Sequence, residues 1–247
     1  MKSFHLDTGR TGPLMVRQVP TPRMTDSGAP QVDDNGEVVN LGRVIVPGVL
    51  TSSYGTPAPR QCRLKVTGQV PDGITDGSVV RLAGKVTVTS WYLRGARGRD
   101  ARSEITLSPE RVELAPGEFP TFEGLLPVRP PVDDAFTFMA SKPAEGGNGF
   151  EAALVVPSSI VDQAGTVRVV LDVQPDEGLA GRPVRFEGLR VALLQPEGED
   201  VGRASKAGFL IYAERLVPAE PAAAAASARG RRQEPETEVL NTDSADG

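Results

Sequence analysis

Apolar and polar residues alternate over short stretches of this chain, and turn-forming residues interrupt the alternation about every 8–14 positions. Phe4 to Leu6 and Leu14 to Val16 read as a first strand region with a turn at Thr8-Gly9. Residues 20–37 are turn-formers almost throughout, and Asn35-Gly36 is a strong hairpin signal. Val38 to Val46 reads as a strand ended by Pro47-Gly48, and residues 49–60 as a loop. Cys62, Leu64 and Val66 alternate with Arg63, Lys65 and Thr67, which predicts a half-buried strand with a basic outer face. Asp76-Gly77 starts a strand that Gly84 interrupts and that runs on to Trp91 and Tyr92. A return strand follows from Ser103 to Leu107, Pro109 to Leu114 finishes the unit, and Ala115-Pro116-Gly117 marks a boundary. No stretch of ten residues or more keeps a helical period, so the pattern predicts an all-β barrel or sandwich.

The second half echoes the first at a shift of 104 residues. Pro71-Asp72 meets Pro175-Asp176, Gly77 meets Gly181, and Val80-Arg81 meets Val184-Arg185. Gly84 meets Gly188, and Glu110-Arg111 meets Glu214-Arg215. Val46-Pro47 echoes Val156-Pro157 at a slightly different shift. The matches fall at turn glycines, a mid-strand glycine and strand ends, where backbone geometry restricts the residue. They predict two copies of one small β-fold in tandem; generic all-β patterning is the alternative.

Charge separates the copies. Residues 1–115 hold 15 Lys and Arg against 11 Asp and Glu, residues 116–220 hold 9 against 16, and the total is −5. An acidic total argues against binding duplex DNA over the whole surface but leaves room for a basic groove in the first half. A single cysteine, Cys62, excludes an internal disulfide and reads as a small buried hydrophobe. A single histidine, His5, leaves no His/Cys metal cluster. There is no signal-peptide core and no apolar run long enough to span a membrane, so a cytoplasmic location is expected. Residues 220–247, an alanine run and then an acidic stretch, predict a disordered tail.

The chemistry concentrates in the hairpin from Asp76 to Val112. Trp91 and Tyr92 stand at its stem, with Arg94, Arg97, Arg99 and Arg102 in or beside its tip. Rings that stack bases and guanidinium groups that hold phosphates are what a single-stranded nucleic acid requires. Trp91 shares its strand face with Thr87 and Thr89, which favours a ligand face over a core or dimer contact. Tyr92, on the opposite face, suits the core better than direct contact. The four arginines either track phosphates or form a solvated loop. Arg63, Lys65, Arg81 and Lys85 alternate along strands, so they either line one binding face or make an ordinary polar exterior. Asp33-Asp34 and Asp133-Asp134 are adjacent carboxylates in turn-rich contexts, and neighbours on a strand point apart. With no base for a triad and no phosphate-binding glycine loop, neither an active site nor a cofactor is expected.

The run from Asp76 to Trp91, D-G-S-V-V-R-L-A-G-K-V-T-V-T-S-W, resembles bacterial single-stranded DNA-binding proteins of the SSB type. The spacing of Gly77, Gly84 and Trp91 carries the resemblance, and the loop and return strand follow as in that family. It implies an OB-fold, a five-stranded partly open barrel, with Trp91 in the base-stacking position. The second copy departs from it: Gln195 stands where Trp91 does, and Glu197, Glu199 and Asp200 replace the arginines. The tail is acidic as SSB tails are, without their hydrophobic tip. Leu6 to Met24 and Arg43 to Gly48 resemble, more loosely, regulatory proteins of actinobacterial integrative elements.

The resulting expectation is an all-β chain of two tandem OB-fold-like five-stranded barrels with a disordered C-terminal tail. Residues 1–117 form the basic, Trp-bearing barrel, 118–219 the acidic one and 220–247 the tail. The expected function is non-enzymatic binding of single-stranded DNA on the first barrel, in replication or in the life of a phage or mobile element. Self-association and protein partners on the acidic tail are further expectations. The alternative is a regulatory β-protein of a phage or mobile element that binds proteins.

Overall fold

The computed structural model describes residues 3–51, 56–93, 102–118, 124–129, 136–144, 149–156, 165–195 and 208–219. They are almost entirely β, apart from one turn of 3-10 helix at Glu177–Leu179. The strands are β1 (Ser3–Leu6), β2 (Leu14–Pro22), β3 (Val39–Leu50), β4 (Ala58–Thr67), β5 (Val79–Leu93), β6 (Arg102–Leu114) and β7 (Leu126–Arg129). They continue with β8 (Phe136–Pro143), β9 (Phe150–Val156), β10 (Gly165–Leu171), β11 (Pro183–Glu187), β12 (Arg190–Leu194), β13 (Gly208–Ala213) and β14 (Arg215–Pro218).

Hydrogen-bonded pairing closes a ring in the first half. β2 pairs with β3, β3 with β4, β5 with β6 and β5 with β2, all antiparallel, while β4 and β6 run parallel. One face of each strand fills the ring: Val44, Val46, Cys62, Leu64, Val80, Val86, Val88, Ile105 and Leu107 are buried. Alternation therefore does the work expected of it, because a period of two puts every second side chain inside.

The pairings in the second half follow the same order. β8 pairs with β9 and β9 with β10, antiparallel, and β10 runs parallel to β13. The strand equivalent to β5 is split into β11 and β12, and the one equivalent to β6 into β13 and β14. β11 returns to β8. The break in this half and the bulge in the first fall on the matched glycines. Gly84 (φ +73°) and Gly188 (φ +62°) are left-handed, and a Cβ on either would collide with a glutamate across the pairing, Glu110 and Glu214 respectively. A residue without Cβ is required at both.

Several strands outrun expectation. β2 continues past Val16 to Pro22, where Thr21 and Pro22 pair with Leu41 and Asn40, and β4 begins at Ala58 inside the expected loop. Two further strands run on through bulges. β3 does not stop at Pro47-Gly48. It passes through a register shift between Val46 and Val49 and ends at Leu50. The extension pairs in parallel with β12, Val49 with Leu193 and Leu50 with Leu194, so partners in the second half carry it on. The return strand likewise does not end at Leu107 but runs to Leu114 with Pro109 buried inside it. Pro109 faces Val86 beside the Gly84 bulge, where the ladder is already disrupted and a missing N–H is tolerated.

The two halves share one sheet and one hydrophobic cluster. β1 pairs antiparallel with β7, Leu6 opposite Val128 and His5 opposite Arg129, and β7 continues onto β12. Phe4 of β1 meets Phe209 of β13 edge to face, ring centroids 4.9 Å apart. Among the described residues no helix is long and apolar enough to cross a membrane. The tail from 220 to 247 lies outside the described residues.

Candidate nucleic-acid interface

The side of the first ring turned away from its core carries the basic residues. β3 and β4 present Arg43, Arg63 and Lys65 there, between the buried Val44, Cys62, Leu64 and Val66. Strand register lines them up. Arg43 pairs with Arg63, Arg63 with Thr106, Thr106 with Thr89 and Thr89 with Ser3, one continuous row across β3, β4, β6, β5 and β1. Two guanidinium groups directly opposite each other repel. Glu104, on β6, relieves this. Its carboxylate sits 2.5 Å from the Arg63 guanidinium and 4.0 Å from that of Arg43, and its side chain is only 12 % exposed.

The backbone of Trp91 pairs with Glu104, that of Tyr92 with Ser103 and that of Leu93 with Arg102. The Trp91–Glu104 pair therefore lies one step along the ladder beyond Ser90–Ile105, and two beyond the Thr89–Thr106 pair of the basic row. Arg94, Arg97 and Arg99 lie outside the described residues, as do Asp133-Asp134 and the Glu197, Glu199 and Asp200 loop; for Arg102 only the strand position is described.

The remaining basic residues divide. Lys85 is exposed next to the Gly84 bulge. It also acts on His5: burial first, and then the Lys85 charge, hold the imidazole below its ordinary value of 6.5. Arg81 stands on the far side of that bulge and is clasped by Glu118, Nε to Oε1 at 3.0 Å and Nη2 to Oε2 at 2.5 Å. The register thus brings Arg63 together with Glu104, Thr89 and the Trp91 strand position, and leaves Arg81 in a separate ion pair.

Besides Glu104, four polar residues of this surface escaped sequence reasoning: Arg43, Arg60, Gln61 and Gln195. Arg43, Ile45, Pro59, Arg60, Gln61 and Gln195 line an open groove of about 390 Å³. Arg43 and Gln61 alternate with core residues just as Arg63 and Lys65 do, so the same period could have found them. Arg60 sits at the strand's start, where alternation is weakest. Gln195 had one signal, its position 104 residues after Trp91. Asp33 is a turn residue. Its Oδ1 accepts from the backbone N–H of Asn35 and of Glu37, both at 2.9 Å, and the bond from Glu37 is the main reason that its carboxyl titrates below 3.8. Among the described residues no group of His, Cys, Asp and Glu could hold a metal ion.

No family model and no curated protein sequence matches the chain. Among solved structures it is similar to the wild-type single-stranded DNA binding protein from Thermus aquaticus. The identity is 14 %, the TM-score is 0.44, and the match covers 95 % of this chain and 97 % of that one. A deletion mutant of the same Thermus aquaticus protein matches at 13 % identity and TM-score 0.42, over 90 % of this chain and 95 % of that one. A likeness of this order does not extend to ligand or activity.

Proposed function

We propose that this chain binds single-stranded DNA on the outer face of its first half, without catalysing a reaction. The observation that carries the reading is the cross-strand row from Arg43 through Arg63 to Thr89, with the Trp91–Glu104 pair just beyond it. A strip of cations bordered by an aromatic position is the combination that holds a backbone and stacks its bases. Trp91 is the stacking residue and Tyr92 its neighbour. Arg43, Arg63, Lys65 and Lys85 meet phosphates, and Arg94, Arg97, Arg99 and Arg102 extend the cationic strip along the hairpin. Arg81 contributes less, since Glu118 already neutralises it.

The ring order supports an OB-type barrel. Numbered within the first ring, the strands close as 1-2-3-5-4-1 with strands 3 and 5 parallel, a Greek-key closure. The equivalent order in the second half, and the glutamate-facing glycines at 84 and 188, support two such units, residues 1–117 and 118–219. Leu6 opposite Val128 then joins the two units edge to edge, so that one chain stands in for a dimer.

The test is a titration of tryptophan fluorescence with oligo-dT at two salt concentrations. Quenching that weakens as salt rises is expected, because phosphate contacts release counterions. A gel shift compares oligo-dT with duplex DNA of equal length, and only the single strand is expected to shift. No quenching and no shift would leave the protein-binding alternative standing and this reading without support.

A further inference from the structure

The groove beside the basic row lies between the two halves of the chain. Arg43 and Ile45 come from β3, Pro59, Arg60 and Gln61 from the start of β4, and Gln195 from just beyond β12 in the second half. Its volume of about 390 Å³ suits a small polar ligand or one segment of a larger one.

Gln195 is held in place twice. Its backbone N–H donates to Leu50 O at 2.8 Å, in line with the parallel pairing of β12 and β3. Its side-chain Oε1 accepts from the Cys62 thiol at 3.9 Å. Burial pushes Cys62 up to about 12, so the sulfur keeps its proton and can donate it to the amide oxygen. With Oε1 turned to Cys62, the Nε2 donors are left for the groove. Among the described residues Arg60 is exposed and without an ion pair, and the only carboxylate paired with Arg43 is that of Glu104, at 4.0 Å. Two guanidinium groups and an amide that offers N–H groups demand a ligand rich in acceptors and negative in charge.

We propose that this groove is a subsite for one phosphodiester of the bound strand, held by Arg43 and Arg60 and completed by Gln195 from the second half. The proposal rests on the single-strand reading and adds to it a role for the half that lacks the tryptophan. At the position matched to Trp91, the second half supplies an amide that closes the first half's groove.

Full-length wild type, Arg60→Ala, Gln195→Ala and, as a charge control on β10 outside the groove lining, Arg168→Ala are titrated with oligo-dT across a salt series. Thermal midpoints are read alongside. Arg60→Ala is expected to bind about fivefold more weakly and to flatten the slope of log affinity against log salt by about 0.7, one phosphate contact on a single strand. Gln195→Ala loses affinity at unchanged slope, because the amide is neutral. Arg168→Ala matches wild type. If wild type binds and both groove variants match it in affinity and slope, the groove is empty in the complex and the proposal is overturned while the single-strand reading stands. If wild type does not bind, both fall together.

Discussion

Glu104 is held between two arginines: its Oε2 lies 2.5 Å from Arg63 Nη2 and its Oε1 4.0 Å from Arg43 Nη2. In the free protein this carboxylate occupies the cations that a phosphate would need. Glu104→Gln is expected to tighten oligo-dT binding roughly three- to tenfold at low salt and to steepen the salt dependence, as more counterions gather on the unneutralised row. The same change removes the carboxylate shared by Arg43 and Arg63 and costs about 1 kcal/mol of stability. Anisotropy titrations and urea denaturation read the two effects separately, and weaker binding by a folded Glu104→Gln would contradict the competition.

Trp91 is the residue on which the ligand reading depends most. Trp91→Ala is expected to weaken oligo-dT binding by about 1–3 kcal/mol, with Trp91→Phe recovering part of it. Because the variants lack the only tryptophan, labelled oligonucleotide rather than intrinsic fluorescence reports the binding. Unchanged affinity in Trp91→Ala would remove stacking from the account.

Gly84 and Gly188 make a matched pair for stability. Each has positive φ, and each leaves no room for a Cβ beside a glutamate, Glu110 or Glu214. Gly84→Ala and Gly188→Ala are each expected to cost about 1–3 kcal/mol in chemical denaturation. The glycines sit in different halves of the chain with different partners, so the double variant should lose the sum. A neutral substitution at either would show that its strand does not need the left-handed residue.

Cys62 is buried, and desolvation raises its thiol from an ordinary 9.0 to about 12. A raised thiol value means that the folded protein keeps a proton which the unfolded chain gives up. Stability is therefore unaffected below about pH 9 and declines as pH rises from there towards 12. At pH 8 the native protein should not react with a thiol-specific disulfide reagent, and one thiol should titrate after unfolding. Rapid labelling of the native protein would place Cys62 outside the core.

Much of the strand inventory was legible along the chain because burial of one face demands a period of two. Cys62, Leu64 and Val66 are inside and Arg63 and Lys65 outside, as their alternation requires. The ends of strands were less legible. Pro47-Gly48 and Pro109 look like stops, yet each sits at a bulge, and the chain continues because a partner strand is there to pair with it. The candidate site was legible only in its cations. Glu104 reads as an ordinary strand-face residue, and nothing local predicts that β6 brings it to Arg63. Arg81 has the same spacing as its neighbours but ends in the grip of Glu118.

Taken alone, the sequence determined the β class, the inward and outward faces, the turns at Thr8-Gly9, Asn35-Gly36 and Asp76-Gly77, and the shift of 104 that relates Gly84 to Gly188. These follow from local rules: side-chain alternation, and backbone angles that only glycine adopts readily. Tertiary structure alone decided which strands are neighbours, and so which charges meet. The parallel pairing of β4 with β6 sets the register of Arg63 against β6 and so brings Glu104 within its reach, and that of β3 with β12 puts Gln195 against Cys62. Pairing partners distant in the chain are chosen by burial of the whole core, and no local pattern encodes that choice.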